Sequence, residues 1–309
     1  MNAIAMGVMS HNHPETVKEV LSECADIYRA CELDVYYYDS SENEVILDII
    51  EKYRLQGYSN LHYVDCRKMT IEQKQIAIWN GYGMEKKYDY HWLVKDRTAV
   101  DGASLLGIYK MALFDKPDMI VIDTYGDHSI NLSYVEEKPI EIYQKYAWEM
   151  TSMDTVILRK STFIGDLDLQ EPVLTQGDYR YAFMHYDMYF RRLSEMKNPR
   201  IGVLSEPLVK ILNSMRSGSG WYARSFEIWA DMWVKVNEAL PDIYDPYKKA
   251  VVKSRAVPKQ LQTEEGLLDF RRKGVLRPEM LTDEIRNNWN KISIIPYKRL
   301  EEIAGMSLL

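Results

Sequence analysis

The chain has 309 residues, of which 46% are hydrophobic and 28% charged, and its formal charge is −7. That length predicts about two domains, or one large domain with an extension, and the composition excludes a disordered chain, a collagen and a small disulfide scaffold. With 46 acidic against 39 basic side chains, a nucleic-acid partner held by phosphate neutralisation is not expected.

Apolar runs alternate with helical periods through roughly the first half of the chain. Ala3–Met9 reads as a buried strand. Pro14 then opens a helix with one apolar stripe through Val17, Val20, Leu21, Cys24, Ile27, Tyr28 and Cys31. Leu33–Tyr38 is the second strand, closed by the polar turn Asp39-Ser40-Ser41. A helix follows with Val45, Ile46, Ile49, Ile50 and Tyr53 inward. Leu61–Val64 is the third strand, and a helix runs from a Thr70 cap to about Met84. Asp89–Val94 is the fourth strand, Gly102–Phe114 a helix and Met119–Asp123 the fifth strand.

Beyond residue 125 the order is less regular. Thr155–Arg159 reads as a strand and Tyr186–Met196 as a helix. The stretch 214–220 (SMRSGSG) predicts a flexible hinge, which divides the chain into a 1–215 domain and a helical 216–309 region. Trp221–Leu240 is helical and aromatic, and a core role is its plainer reading. The segment 248–309 carries 13 basic against 8 acidic residues. A solvated surface is its plainer reading, with peripheral contact to anionic lipid as the alternative.

Strand–helix alternation implies a mostly parallel sheet covered on both faces. Ligands of such sheets bind beyond the carboxyl ends of the strands. The candidates are therefore Ser10, His11 and Asn12; Asp39, Ser40 and Ser41; Asp65, Arg67 and Lys68; Lys95, Asp96 and Arg97. The 23 tyrosines and 7 tryptophans suit half-wet clefts and sugar faces. Three scattered cysteines form neither a disulfide framework nor a zinc motif, and buried thiols are expected. His11-x-His13 reads first as a turn or pocket polar group and only second as a metal pair. No stretch reaches the roughly 20 apolar residues of a membrane helix, and Met1–Met9 lacks a basic signal-peptide region, so a cytoplasmic protein is expected.

No familiar catalytic string is present: neither a glycine-rich phosphate loop, nor GxSxG, nor HExxH. Separate pieces nonetheless fall in a telling order. VMSHNHPETVKEVL (8–21) and YYDSSEN (37–43) are followed by YDYHWLVKDRTAV (88–100), MTSMDTVILRKSTF (150–163) and HYDMYFRRL (185–193). Together they resemble the GT-A glycosyltransferases of family 2 over about residues 3–210. The resemblance implies a GT-A, Rossmann-like α/β fold with a mainly helical C-terminal extension. It also implies an inverting, hexosyltransferase-type enzyme using a nucleotide-sugar donor, with a role in surface polysaccharide assembly or protein glycosylation.

The resemblance also places roles. Asp39 stands where the family accepts from the nucleobase; its usual preceding acid is Tyr38 here. The family's Asp-x-Asp falls on Val94-Lys95-Asp96, so one acid remains and Arg97 follows. Asp96 is then the metal ligand for Mn²⁺ or Mg²⁺, with Lys95 or Arg97 taking over part of the ion's electrostatic work on the leaving diphosphate. Asp187, after Tyr186 where the family has Glu, matches the general base for the acceptor hydroxyl. Its plainer reading is a first-turn helix acid. Ser10, Asn12, Ser41, Asp65, Arg67 and Lys68 complete the donor set. A UDP-sugar is the expected donor and a glycan, lipid-linked or protein hydroxyl the acceptor. Placement at the inner membrane face and a homo-oligomer are left open. A nucleotidyltransferase is disfavoured because the first turn, SHNHP, is not glycine-rich. A non-catalytic nucleotide-sugar-binding or scaffold subunit is the main alternative.

Overall fold

The computed structural model describes residues 4–123, 130, 132–165, 178–207, 209–212, 220–253 and 259–306. The hinge expected at 214–220 lies, but for Gly220, outside the described residues. The chain divides into two compact units. The first comprises residues 1–139, 152–173 and 196–214; the second comprises 140–151, 174–195 and 215–309.

In the first unit, strand β1 (Ile4–Ser10) leads into helix α1 (Pro14–Ala30), and β2 (Asp34–Asp39) into α2 (Val45–Leu55). Strand β3 (Leu61–Asp65) is followed by α3 (Ile71–Asn80), then β4 (Tyr90–Lys95) and the short β5 (Thr98–Val100). Helix α4 (Gly102–Lys110) precedes β6 (Met119–Asp123), and β7 (Tyr134–Glu136), β8 (Val156–Arg159), β9 (Ile201–Pro207) and β10 (Val209–Ile211) complete the strands. Eight of these form one sheet in the order β3-β2-β1-β4-β8-β6-β9-β7, while β5 and β10 pair separately and antiparallel. Within the large sheet β7 and β8 run against the other six. The mostly parallel α/β sheet expected from the alternation is therefore present, with two reversed strands.

Strand parity explains how both faces are covered. Ile4, Met6 and Val8 of β1 share a buried cluster with Val35 and Tyr37 of β2 and the apolar stripes of α1, α2 and α4. On the other face of β1, a Cβ at Gly7 would come 2.4 Å from Ile78 of α3, so the absence of a side chain lets that helix approach. Helix α3 starts as expected: Thr70 accepts from the Gln73 N–H, and the Gln73 side chain returns the bond. It stops at Asn80 rather than near Met84, because Gly81 closes it in a left-handed conformation with φ 74°.

The tyrosines correct a compositional expectation. Tyr28, Tyr36, Tyr37, Tyr38, Tyr90, Tyr143, Tyr186 and Tyr189 are all fully buried, so much of the tyrosine serves packing rather than a half-wet cleft. The three cysteines form no disulfide, and among the described residues no helix is long and apolar enough to cross a membrane.

The second unit contains α5 (Pro139–Tyr146, all but its first residue), α6 (Met184–Glu195), α7 (Trp233–Ala239) and α8 (Asp245–Lys253), then α9 (Glu264–Arg272), α10 (Asp283–Ile292) and α11 (Tyr297–Gly305). A π-helical turn, Ile228–Met232, leads into α7 where one regular helix is expected. The aromatics there are core: Phe226 and Trp233 are fully buried and Trp229 nearly so. At their centre Asn237 Oδ1 accepts from the hydroxyls of Tyr143 (2.7 Å) and Tyr186 (2.8 Å). Its amide donates to the Trp233 carbonyl at 2.8 Å. Replacing Asn237 by Leu strands two buried hydroxyls, each at a cost of about 1–3 kcal/mol. Urea unfolding of Asn237→Leu should show a loss of at least about 2 kcal/mol, and Tyr143→Phe a loss of about 1 kcal/mol.

Candidate active site

The register of the sheet sets the level of the strand ends. Ser10 lies opposite Asp39, and Met9 opposite Lys95, across the parallel pairs β1–β2 and β1–β4. The turns that follow are tied to one another. Asp39 is wholly buried. Its Oδ1 accepts from the Ser41 hydroxyl (2.6 Å) and N–H (3.1 Å), and its Oδ2 from the Tyr63 hydroxyl at 3.3 Å. The Ser41 Oγ in turn accepts from the Asn12 N–H at 2.7 Å. This bond holds Asn12 in the left-handed region, φ 54°, where Asn is better tolerated than most side chains. Ser40 donates its N–H to the Ser10 carbonyl at 3.1 Å, and the Ser40 carbonyl accepts from His11 Nδ1 at 3.1 Å.

At the end of β4, Asp96 is 8% exposed and its Oδ2 lies 3.0 Å from His13 Nδ1. Lys95 is turned elsewhere. Its ammonium pairs with the fully buried Asp154 at 2.7 Å and donates to Ser152 at 2.9 Å. Asp154 also accepts from the Lys95 N–H (2.7 Å) and the Thr98 hydroxyl (2.8 Å). Burial alone would push the Asp154 carboxyl up, but the Lys95 charge and these hydrogen bonds outweigh it, and the net displacement is downward. Arg97 is half-buried and its carbonyl accepts from the Leu212 N–H at 2.9 Å.

Sequence reasoning missed Lys74. This lysine of α3 is 3% exposed, and its ammonium donates to the Ser10 carbonyl at 3.0 Å and the Ser40 hydroxyl at 2.8 Å. Burial pushes it below the usual lysine range, opposed by the nearby Asp39 and Asp96 carboxylates. The available signal was helical spacing: Lys74 falls on the same face as the buried Ile78, one turn on, where a lysine is out of place. Beside it the Ser10 Oγ is buried without a hydrogen-bond partner among the described residues, which marks this corner as one where a polar ligand atom would be accepted.

The third strand end is different. Asp65 and Arg67 are exposed and clamp each other, with Arg67 Nε 3.0 Å from both carboxylate oxygens. These bonds hold the Asp65 carboxyl below its usual range. Lys68 is exposed. These three share a strand end with the buried group but none of its hydrogen bonds.

Asp187 belongs to the second unit, in the first turn of α6. Arg191 Nε donates to both of its oxygens at 2.9 Å, and Arg191 also reaches the Ala239 carbonyl at 2.7 Å. Arg192 pairs with Glu195 instead, at 3.4 Å. Among the described residues no three His, Cys, Asp or Glu side chains cluster as a metal site. The donor set offered at the β1 and β4 ends is His13 with Asp96.

No protein-family model matches the sequence, and no curated protein matches it. Solved structures do. Residues 1–349 of S. aureus TarS in complex with UDP-GlcNAc superpose with a TM-score of 0.57 at 15% identity, covering 97% of this chain and 90% of that one. The same fragment in complex with UDP gives 0.53 at 13% identity over 98% and 90%. The chain has the GT-A glycosyltransferase fold.

The Asp154 lock generates a prediction. A depressed carboxyl contributes stability above its unfolded pKa, about 4, and that contribution is lost as pH falls through the folded value. Asp154→Asn should lower stability by about 3 kcal/mol at pH 7. Its urea midpoint should also vary less with pH below about 4 than that of the wild type. An unchanged acid limb would remove Asp154 from that role.

Proposed function

We propose that this chain is an inverting glycosyltransferase that moves a sugar from a UDP-sugar to a hydroxyl acceptor. The observation that carries the reading is the polar group beneath the β1, β2 and β4 ends, where Asp39, Ser41, Ser10, Lys74 and Asp96 converge in a GT-A fold. The UDP and UDP-GlcNAc complexes of TarS support uracil as the base.

A uracil edge offers one ring N–H between two carbonyls. Asp39 accepts the N–H, and the base displaces the Tyr63 hydroxyl, whose 3.3 Å bond is the weakest of the three on that carboxylate. Lys74, with two neutral acceptors, offers its remaining N–H to a carbonyl or phosphate oxygen. Ser10 Oγ supplies a further contact. The leaving diphosphate gathers charge as the glycosidic bond breaks, and fixed positive charge there lowers the barrier. A divalent cation, Mn²⁺ or Mg²⁺, held at Asp96 would neutralise that charge. Lys95 is committed to Asp154, and among the described residues we assign this work to Lys74 and Arg97. By the family resemblance Asp187 removes the acceptor proton, and Arg191 fixes its rotamer. Asn12, Asp65, Arg67 and Lys68 remain the outer donor residues in this reading.

One observation favours a second reading, a donor-binding subunit without turnover: Asp187 is already engaged by Arg191 through both oxygens. Kinetics separate the two. UDP-sugars should raise the melting temperature by mass action, with about 2.7 kcal/mol of stabilisation at a hundredfold excess over Kd. Asp39→Ala and Lys74→Met should each weaken UDP binding at least tenfold. Asp187→Asn should leave UDP binding intact and cut transfer or donor hydrolysis about 10²–10⁴-fold. Binding without turnover in the wild type selects the second reading. No shift with UDP, GDP or their sugars ends both.

A further inference from the structure

The family pattern leaves this chain one acid where two would grip a cation, yet a nitrogen donor stands beside that acid. His13 Nδ1 and Asp96 Oδ2 are 3.0 Å apart although 83 residues separate them in sequence. Two cis ligands, each about 2.1 Å from one octahedral ion, lie about 3.0 Å from each other. The spacing of the pair therefore suits two ligands of one cation as well as the hydrogen bond between them.

The placement of His13 is built rather than incidental. The link between β1 and α1 is three residues long, His11 to His13. His11 is anchored on the Ser40 carbonyl, Asn12 is turned left-handed by Ser41, and Pro14 fixes the first turn of α1. The imidazole is not used as a helix cap, and its side chain is 51% exposed against 11% for Asp96. One residue of the pair is thus nearly buried and the other half-exposed.

We propose that His13 is the second protein ligand of a divalent cation at Asp96, replacing the missing carboxylate, and that it makes the site selective for Mn²⁺ over Mg²⁺. Mg²⁺ takes oxygen ligands almost exclusively and dehydrates reluctantly, whereas Mn²⁺, although also at home with carboxylate and water, is a transition-metal ion that accepts an imidazole nitrogen beside them. The donor's phosphates and water supply the remaining positions. This rests on the donor-site reading above, and the experiment separates the two.

Mn²⁺ binding is followed by electron paramagnetic resonance on the full chain, with and without UDP, and UDP binding is measured separately by calorimetry in EDTA. Wild type with UDP should bind one Mn²⁺, with ¹⁴N modulation of its spin echo from a coordinated imidazole. His13→Ala should lose the modulation and weaken Mn²⁺ at least about tenfold, with UDP affinity in EDTA unchanged. The half-exposed position makes that variant foldable, and His13→Asp provides a second arm: Mg²⁺ affinity should rise relative to Mn²⁺. Equal Mn²⁺ affinity in His13→Ala, or UDP binding with no Mn²⁺, overturns the proposal and leaves the donor site standing. Absence of UDP and GDP binding in EDTA and in Mn²⁺ alike would remove the donor site and the proposal together.

Discussion

The parallel pairing of β1 with a neighbour on each side is the constraint from which the rest of the first unit follows. Because β1 is hydrogen-bonded to β2 and β4 in matched register, three loops leave the sheet at one level and must find partners among themselves. Ser41 does much of this work, donating to Asp39 and accepting from Asn12. A one-residue slip of β1 would turn Ile4, Met6 and Val8 out of their cluster and bring Gly7 away from Ile78. The apolar core thus fixes the register, and the register fixes which polar groups meet.

Charge at that edge is distributed unusually. Two carboxylates, Asp39 and Asp96, are buried there, and the basic side chain adjacent in sequence, Lys95, is withdrawn into a pair with Asp154. The counter-charge comes instead from Lys74, delivered across the sheet by α3. A buried ammonium held only by a carbonyl and a hydroxyl is costly. The nearby carboxylates offset part of that cost, and an anionic or carbonyl ligand would offset more. Such an arrangement is poised for a ligand in a way that a fully paired network is not.

How much of this was legible in the sequence depends on the range of the interaction that decides each feature. The first five strands of the large sheet and the helices between them follow from periodicity, and the Thr70 cap from local chemistry. The end of α3 at Asn80 turns on Gly81 adopting a positive φ, which a helical pattern continuing to Met84 conceals. Strands β5, β7 and β10 have three residues each, too few for a period to declare itself. The strand-end positions of Ser10, Asp39 and Asp96 could be counted from the pattern, but their partners could not. Tyr63, Lys74 and His13 come from 24, 64 and 83 residues away, and no spacing rule reaches that far.

His13 shows the same limit from the other side. In the sequence, a histidine before a proline is most simply a turn residue, and it does occupy a turn. What gives it chemical meaning is a carboxylate brought beside it by the β1–β4 pairing. If the proposed cation binds at Asp96, a valine at residue 94 need not abolish the site, because a neighbouring strand end brings a different donor atom in His13. The exchange of donor atom would then alter which cation fits. Lys74 adds positive charge near such a cation, so with an imidazole and one carboxylate in place of two carboxylates the balancing negative charge would have to come from the diphosphate, and cation and donor would be expected to bind together.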